Sequence, residues 1–102
     1  MLIGKKVSLR ALEENDLPQL RDWRNNENFR KYFREFRELN LIDQKKWFDS
    51  QVVKNEQTIM FGVLDTQTQE LIGVCGLCYI NWAYRNADLS LYIGKDQIYI
   101  DT

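Results

Sequence analysis

Charged residues are divided unevenly along this chain, and the division constrains the fold more than any other feature. Residues 1–58 hold 12 basic and 10 acidic side chains, whereas residues 59–102 hold 2 basic and 5 acidic ones. A charged amphipathic stretch favours helices with a solvent-facing side, and an apolar stretch rich in β-branched residues favours buried strands. The chain is therefore predicted to be an α+β protein with its helices near the start. No linker, repeat or low-complexity tract separates the two parts, so residues 1–102 are expected to form a single domain.

Four segments show the patterns of β-strands. Residues 6–12 and residues 87–93 alternate apolar and polar side chains, as strands with one buried face do. Residues 58–64 and 70–80 are rich in aliphatic and β-branched side chains, and the turn residues at 65–69 lie between them. That arrangement predicts an antiparallel hairpin followed by a third antiparallel strand.

Three helices are predicted between the first and second strands. The first follows Asp16, a good N-cap, and has Pro18 in its first turn, where the missing N–H costs nothing. The third begins at Asn40, whose spacing from Asp43 is typical of a capping pair. The apolar positions recur at helical spacing: Leu17, Leu20 and Trp23; Phe29, Tyr32, Phe33 and Phe36; Trp47, Phe48 and Val52. The predicted architecture is an antiparallel β-meander with two or three helices inserted after its first strand.

The absence of histidine excludes several kinds of chemistry. It removes the Ser-His-Asp triad, the Cys-His dyad and histidine-ligated zinc. Cys75 and Cys78 lie three residues apart in a predicted strand, so they point to opposite faces and do not converge on a metal. We expect two reduced core cysteines, no metal and a cytoplasmic protein.

Membranes and nucleic acids are not expected as partners. The longest apolar run, residues 71–80, is half the length of about 20 residues that a membrane helix needs, and no signal peptide is evident. Residues 30–37 interleave basic and aromatic side chains, a pattern found in proteins that bind single-stranded nucleic acid. Glu27, Glu35 and Glu38 dilute that charge, and the whole chain has a formal net charge of −1, which argues against such binding.

Five short segments occur in an order that is typical of one enzyme family. They are VSLRALEENDL at 7–17, WRNN at 23–26, QKKWF at 44–48, LIGVCGL at 71–77 and RNADL at 85–89. Together they resemble the first half of the GNAT N-acetyltransferases, in the branch similar to ribosomal-protein alanine acetyltransferases. The resemblance implies transfer of an acetyl group from acetyl-CoA, a co-substrate, to a primary amine. The acceptor would be a small molecule, an amino sugar or a peptide N-terminus.

The resemblance also implies roles for single residues. Asp88 stands where the family often has a glutamate that serves as general base; the alternative is a polar residue on the exposed face of a strand. The backbone of Leu91, Tyr92 and Ile93 matches the strand that binds the pantetheine arm of the coenzyme; in an ordinary sheet it would pair with a neighbouring strand. The residues expected near the acceptor are Trp23, Arg24, Asn25, Arg30, Tyr32, Trp82 and Arg85, whereas Phe29, Phe33 and Trp47 are expected in the core.

The end of the chain departs from the family pattern. In the family, a glycine-rich loop after the last of these strands binds the coenzyme phosphates through its backbone N–H groups. Here Ile100 stands where the first glycine is expected, and no glycine follows Gly94. We therefore expect a truncated domain without the phosphate loop. The alternative function is a non-catalytic assembly module that forms a homodimer through the exposed edge of its last strand.

Overall fold

A computed structural model describes residues 1–27, 38–95 and 98–101 of the chain, with only the backbone described in the last of these segments. Its main feature is one antiparallel sheet of six strands, in which each strand lies beside the next one along the chain. The strands are β1 (Leu2–Ile3), β2 (Val7–Ala11), β3 (Ile59–Asp65), β4 (Leu71–Asn81), β5 (Asn86–Ile93) and β6 (Ile98–Asp101). The predicted α+β class and the antiparallel meander are confirmed.

Between β2 and β3, the described part of the chain forms two helices. A single 3-10 turn, Glu14–Asp16, leads into α1 (Leu17–Asn25). The second helix, α2 (Leu41–Trp47), continues as a π-helical segment, Phe48–Val53. These are the first and third predicted helices. The predicted helix containing Phe29, Tyr32, Phe33 and Phe36 lies outside the described residues.

The predicted start of α1 is correct, but Asp16 does not form the side-chain hydrogen bond of an N-cap. Asp16 is the residue before α1, yet its carboxylate does not cap the helix. It instead accepts two hydrogen bonds from the Arg10 guanidinium, at 2.8 and 2.9 Å, and one from the Glu13 backbone N–H at 2.9 Å. A two-pronged, charge-assisted bond to arginine is stronger than a bond to a helix N–H, and β2 brings Arg10 within reach.

The start of α2 confirms the predicted capping pair. The side-chain oxygen of Asn40 accepts from the Asp43 backbone N–H at 2.8 Å, and the Asp43 carboxylate accepts from the Asn40 N–H at 3.2 Å. Just before it, the amide of Asn25 binds both the N–H and the C=O of Leu39, each at 2.7 Å. The end of α1 and the start of α2 are thereby held together.

The core lies between the helices and one face of the sheet. Its buried side chains are Leu12, Leu17, Leu20, Phe48, Val74 and Tyr92, with Trp23, Trp47 and Met60 among the half-buried residues packed against them. Tyr92 belongs to the face of β5 that also carries Asp88 and Ser90, because side chains alternate along a strand. The helices therefore pack on the more polar of the two faces of β5.

The opposite face of the sheet carries a row of exposed apolar side chains. Ile59, Leu77 and Leu89 are direct neighbours on β3, β4 and β5. They are 39%, 43% and 46% exposed. No helix in the described part of the chain packs on this row, and we call the three residues the apolar row.

A sixth strand corrects one expectation about the last predicted strand. The edge of β5 was expected to be unprotected, but β6 pairs with it antiparallel from Ser90 opposite Asp101 to Ile93 opposite Ile98. Isoleucine and tyrosine favour strands, and the turn at Gly94–Lys95 brings the chain back alongside β5. Among the described strands, β6 is therefore the edge strand on this side of the sheet. Among the described residues, no helix is long and apolar enough to cross a membrane.

Candidate functional site

A cavity of about 180 Å³ lies where the end of α1 and the length of α2 meet β4 and β5. Side chains from all four elements line it, and those that matter for its chemistry are Arg24, Gln44, Trp47, Cys78, Ser90 and Tyr92. Its position on the Asp88–Ser90–Tyr92 face of β5 places it beside the predicted catalytic residue. We call it the β5 cavity.

Gln44 is the most unusual residue of the β5 cavity. Its side chain is 1% exposed, and neither its amide nitrogen nor its amide oxygen has a hydrogen-bond partner among the described residues. Leaving a buried polar group unpaired costs about 1–3 kcal/mol, so such a group needs an explanation. In the sequence, Gln44 is marked only as part of the QKKWF segment. The overlooked signal is its position one turn before Trp47 and Phe48, because a polar residue there interrupts the apolar face of α2.

Tyr92 forms the inner wall of the β5 cavity. Burial strongly raises the pKa of its phenol, and the nearby positive charge of Arg24 offsets only part of that effect. The hydroxyl therefore stays protonated at every pH at which the protein would work. The Trp23 ring packs edge-on against Tyr92 from α1, with the ring centroids 6.3 Å apart.

Asp88 lies beside the β5 cavity. It is exposed on β5 and is the direct cross-strand neighbour of Cys78, which lines the cavity from β4. Burial, and to a lesser extent the negative charge of Asp88, raises the pKa of the Cys78 thiol. Cys78 is therefore protonated at neutral pH and is not a nucleophile. A carboxylate beside a binding cavity can accept a proton from a bound group, directly or through water.

The two cysteines are free and lie on β4 rather than in a metal-binding turn. Burial raises the pKa of Cys75 as well. In the described residues there is no group of three or more cysteine and acidic side chains that could hold a metal ion.

The structure brings some of the predicted acceptor residues to the β5 cavity and leaves others elsewhere. Arg24 lines the cavity, and Trp23 packs behind its Tyr92 wall. Both polar atoms of Asn25 are engaged by Leu39, so Asn25 holds two segments together. Arg30 and Tyr32 lie outside the described residues. Trp47, predicted as core, also contributes to the cavity wall.

Trp82 and Arg85 belong to the turn between β4 and β5 and do not line the β5 cavity. The indole N–H of Trp82 donates to the backbone oxygen of Glu56 at 3.1 Å, and its ring borders a separate depression with Tyr79. Arg85 is exposed and adopts a positive φ of 56°. This turn therefore packs against the chain before β3.

The backbone that the resemblance assigned to the coenzyme is occupied on both sides. Leu91 and Tyr92 pair with β4, and the segment from Ser90 to Ile93 pairs with β6. The described residues therefore do not present the free strand edge that a pantetheine arm needs. The part of the coenzyme site that the resemblance assigned to the β5 backbone therefore does not fit this arrangement.

A larger groove, of about 520 Å³, lies on the other side of the helices. Its walls are mostly the apolar side chains of Leu17, Pro18, Leu41 and Ile42. The ammonium of Lys45 at its rim is paired with the carboxylates of Glu14 and Asp49. Because its walls are mostly apolar and none of the predicted site residues lies in them, this groove has less to offer chemically than the β5 cavity.

Comparison with known proteins agrees with the fold and the motifs. Residues 6–99 match the family described as the acetyltransferase (GNAT) domain. No curated protein is significantly similar in sequence. Among solved structures, spermidine N-acetyltransferase from Vibrio cholerae, in complex with CoA and spermine, is 26% identical with a TM-score of 0.77. That match covers 92% of this chain and 54% of the other.

Other structures of the same Vibrio cholerae enzyme are also similar. A dodecameric form in an intermediate state is 26% identical with a TM-score of 0.68, over 92% of this chain and 53% of the other. A point mutant is 27% identical with a TM-score of 0.68, over 92% and 54%. The chain thus spans about half the length of the structures that it matches.

The six-stranded meander, the two helices and the cavity beside β5 define an acyltransferase-like α+β protein. With the family match over nearly its whole length, the chain belongs to the GNAT acetyltransferase family.

Proposed function

We propose that this chain provides the acceptor-binding part of an N-acetyltransferase that moves an acetyl group from acetyl-CoA to a primary amine. The observation that carries the proposal is the β5 cavity, in which the buried, unpaired amide of Gln44 lies on the Asp88 side of the sheet. The similarity to an enzyme whose structure holds CoA and spermine supports the reaction class.

Asp88 is the proposed general base. An ammonium must lose a proton before its nitrogen can attack an acyl group, and a positioned carboxylate can take that proton directly or through water. Asp88 is exposed and is the cross-strand neighbour of Cys78, which lines the cavity, so the proton can pass on to solvent. Acetyl-CoA would supply the activated acyl group.

The proposal is tested by calorimetry with acetyl-CoA, together with an assay for the thiol released when a primary amine is present. Because β6 covers the edge of β5, a variant lacking residues 96–102 is expected to bind acetyl-CoA at least about tenfold more tightly than the full 102-residue chain. A variant lacking residues 1–3 removes the strand at the opposite edge and serves as control. No heat from either variant or from the full chain at millimolar acetyl-CoA would contradict the enzymatic proposal for this chain.

A second candidate function is self-assembly, and the apolar row supports it. Three neighbouring apolar side chains that are 39–46% exposed form a surface that a second copy of the chain could cover. One of the similar structures is described as dodecameric. We expect the chain to self-associate in light scattering and Leu77→Lys to abolish this. Ile42→Lys, at an exposed apolar position on α2, is the control. A monomeric wild-type chain at high concentration contradicts this second proposal.

A cytoplasmic location is also proposed. Two free thiols, neither within a disulfide, are in keeping with a reducing compartment. Detection of the native chain in a soluble cytoplasmic fraction would test this.

A further inference from the structure

The amide of Gln44 limits which acceptors can bind in the β5 cavity. It offers two N–H donors and a carbonyl acceptor, and neither end has a partner within the described part of the chain. A ligand that satisfies both ends must itself contain a donor and an acceptor. A hydroxyl group does so, and so does an amide group. An ammonium has donors only and a carboxylate has acceptors only, so each leaves half of the Gln44 amide unpaired.

The charge of the cavity wall leads to the same restriction. Arg24 contributes a cation, and no aspartate or glutamate is among the described residues that line the cavity. A second ammonium placed inside would be buried with no carboxylate from these lining residues to pair with it, which is unfavourable. Asp88 lies outside the wall, next to Cys78, and can pair with one ammonium only, the reacting one. Polyamines therefore fit this cavity poorly.

The size of the cavity indicates which part of the acceptor it holds. A volume of about 180 Å³ equals that of about six water molecules, well below the range of about 300–1,000 Å³ that suits a drug-sized ligand. It has room for the group next to the reacting amine, whereas a long chain would have to extend out of the cavity.

We infer that Gln44 is a specificity residue that selects a primary amine bearing an uncharged hydroxyl or amide group beside it, and that the cavity discriminates against polyamines. Two sources share this chemistry, an amino sugar and the first residue of a peptide. The inference rests on the proposed function, because it takes the β5 cavity to be the acceptor site. It departs from the polyamine acceptor named for the similar structure.

The test measures acceptor binding and stability, without acetyl-CoA, so that its outcome is separate from that of the coenzyme experiment. Glucosamine, alaninamide and spermidine are titrated by NMR into the wild-type chain, Gln44→Met and Gln19→Met. Methionine has a similar size but no hydrogen-bonding amide, and Gln19 is an exposed residue of α1 that provides the matched control.

The wild-type chain and Gln19→Met are expected to bind glucosamine or alaninamide at least about tenfold more tightly than spermidine, and Gln44→Met to lose about tenfold or more of that affinity. Binding of glucosamine alone identifies an amino sugar as the source, and binding of alaninamide alone identifies a peptide. Without ligand, Gln44→Met should melt several degrees higher than the wild-type chain, since it removes an unpaired buried amide.

Three results would overturn the inference. The first is spermidine binding as tight as that of the other two amines. The second is a Gln44→Met variant that melts at or below the wild-type temperature, which would mean that the amide is satisfied within the fold. The third is no binding of any of the three amines, which would exclude the cavity as the acceptor site even if acetyl-CoA binds.

Discussion

The Trp23 indole meets the Tyr92 phenol ring edge-on, with the ring centroids 6.3 Å apart and the ring planes at 87°. Trp23 is near the end of α1 and Tyr92 is near the end of β5, so this contact fixes the helix against the strand that carries Asp88 and Ser90. Edge-to-face aromatic pairs contribute about 0.5–1.5 kcal/mol beyond the area that they bury. The contact therefore supports the wall of the β5 cavity.

Replacing Trp23 should destabilise the fold. We expect Trp23→Ala to lower the free energy of unfolding by about 3 kcal/mol, because it removes a large side chain packed on the core together with its contact to Tyr92. Trp82→Ala is the control, since Trp82 is 63% exposed, and it should cost less than about 1 kcal/mol. Urea unfolding measures both, and equal losses would contradict the role given to Trp23.

Gly94 is expected to tolerate no side chain while Trp23 is present. A Cβ at this position would overlap the Trp23 indole ring. Gly94→Ala should cost about 1–3 kcal/mol through overpacking. In the Trp23→Ala background the same change should cost much less, because the clashing ring is gone. A double-mutant cycle measures the difference, and additive effects would refute the close contact.

The Arg10–Asp16 ion pair should make the stability of the fold depend on pH in the acidic range. Burial by itself would raise the pKa of the Asp16 carboxyl, but the bonds from Arg10 and the Glu13 N–H together outweigh it and lower the pKa. A carboxyl with a lowered folded-state pKa stabilises the protein at pH values above its unfolded pKa of about 4. That stabilisation is lost as the pH falls from about 4 through the lower folded pKa.

Asp16→Asn should therefore reduce stability by about 1–2 kcal/mol at pH 7, a figure kept small because Arg10 is partly exposed. Between pH 4 and pH 2 its stability should approach that of the wild-type chain. Asp22→Asn, at an exposed site on α1, is the control. Thermal melts across this range would show parallel curves for Asp16→Asn and the wild-type chain if the pair had no effect.

The proximity of Asp88 and Cys78 can be measured without any enzymatic activity. In a Cys75→Ala background, the pH at which Cys78 is half alkylated by iodoacetamide reports its thiol pKa. Asp88→Asn should lower that pKa because a neighbouring negative charge is removed, although burial still keeps it above the ordinary value. Asp65→Asn changes a carboxylate at the far end of the β3–β4 hairpin and should leave the thiol unaffected. If the pKa of Cys78 is unchanged in Asp88→Asn, the Asp88 carboxylate does not lie close enough to the thiol to influence it.

Acetyl transfer provides the functional test of Asp88. If Asp88 is the base, Asp88→Asn should reduce transfer about 100-fold or more and remove the acidic limb of the pH–rate profile. Circular dichroism should show an unchanged fold, since Asp88 is exposed. Asp22→Asn again serves as control. A wild-type pH profile in Asp88→Asn would assign the residue to the strand surface alone.

The helices and strands could be predicted from local sequence patterns, whereas the arrangement of the site depends on tertiary packing. The alternation along β2 and β5, the helical spacing of Leu17 and Leu20, and the Asn40–Asp43 capping pair all depend on residues close together in the chain, so they could be predicted. The family resemblance came from the same short segments.

The chemistry of the β5 cavity depends on residues far apart in the chain. Gln44 is unusual only because α2 buries its amide in the cavity that β4 and β5 also line. Cys78 lies opposite Asp88 only because of the register between β4 and β5. Which face of β5 the helices cover, and whether β6 pairs with its edge, also follow from long-range packing, and neither is encoded in a periodicity of two or 3.6 residues. The family resemblance could therefore name Asp88, but only the folded chain placed it beside Cys78 and brought Cys78 and Gln44 to one cavity.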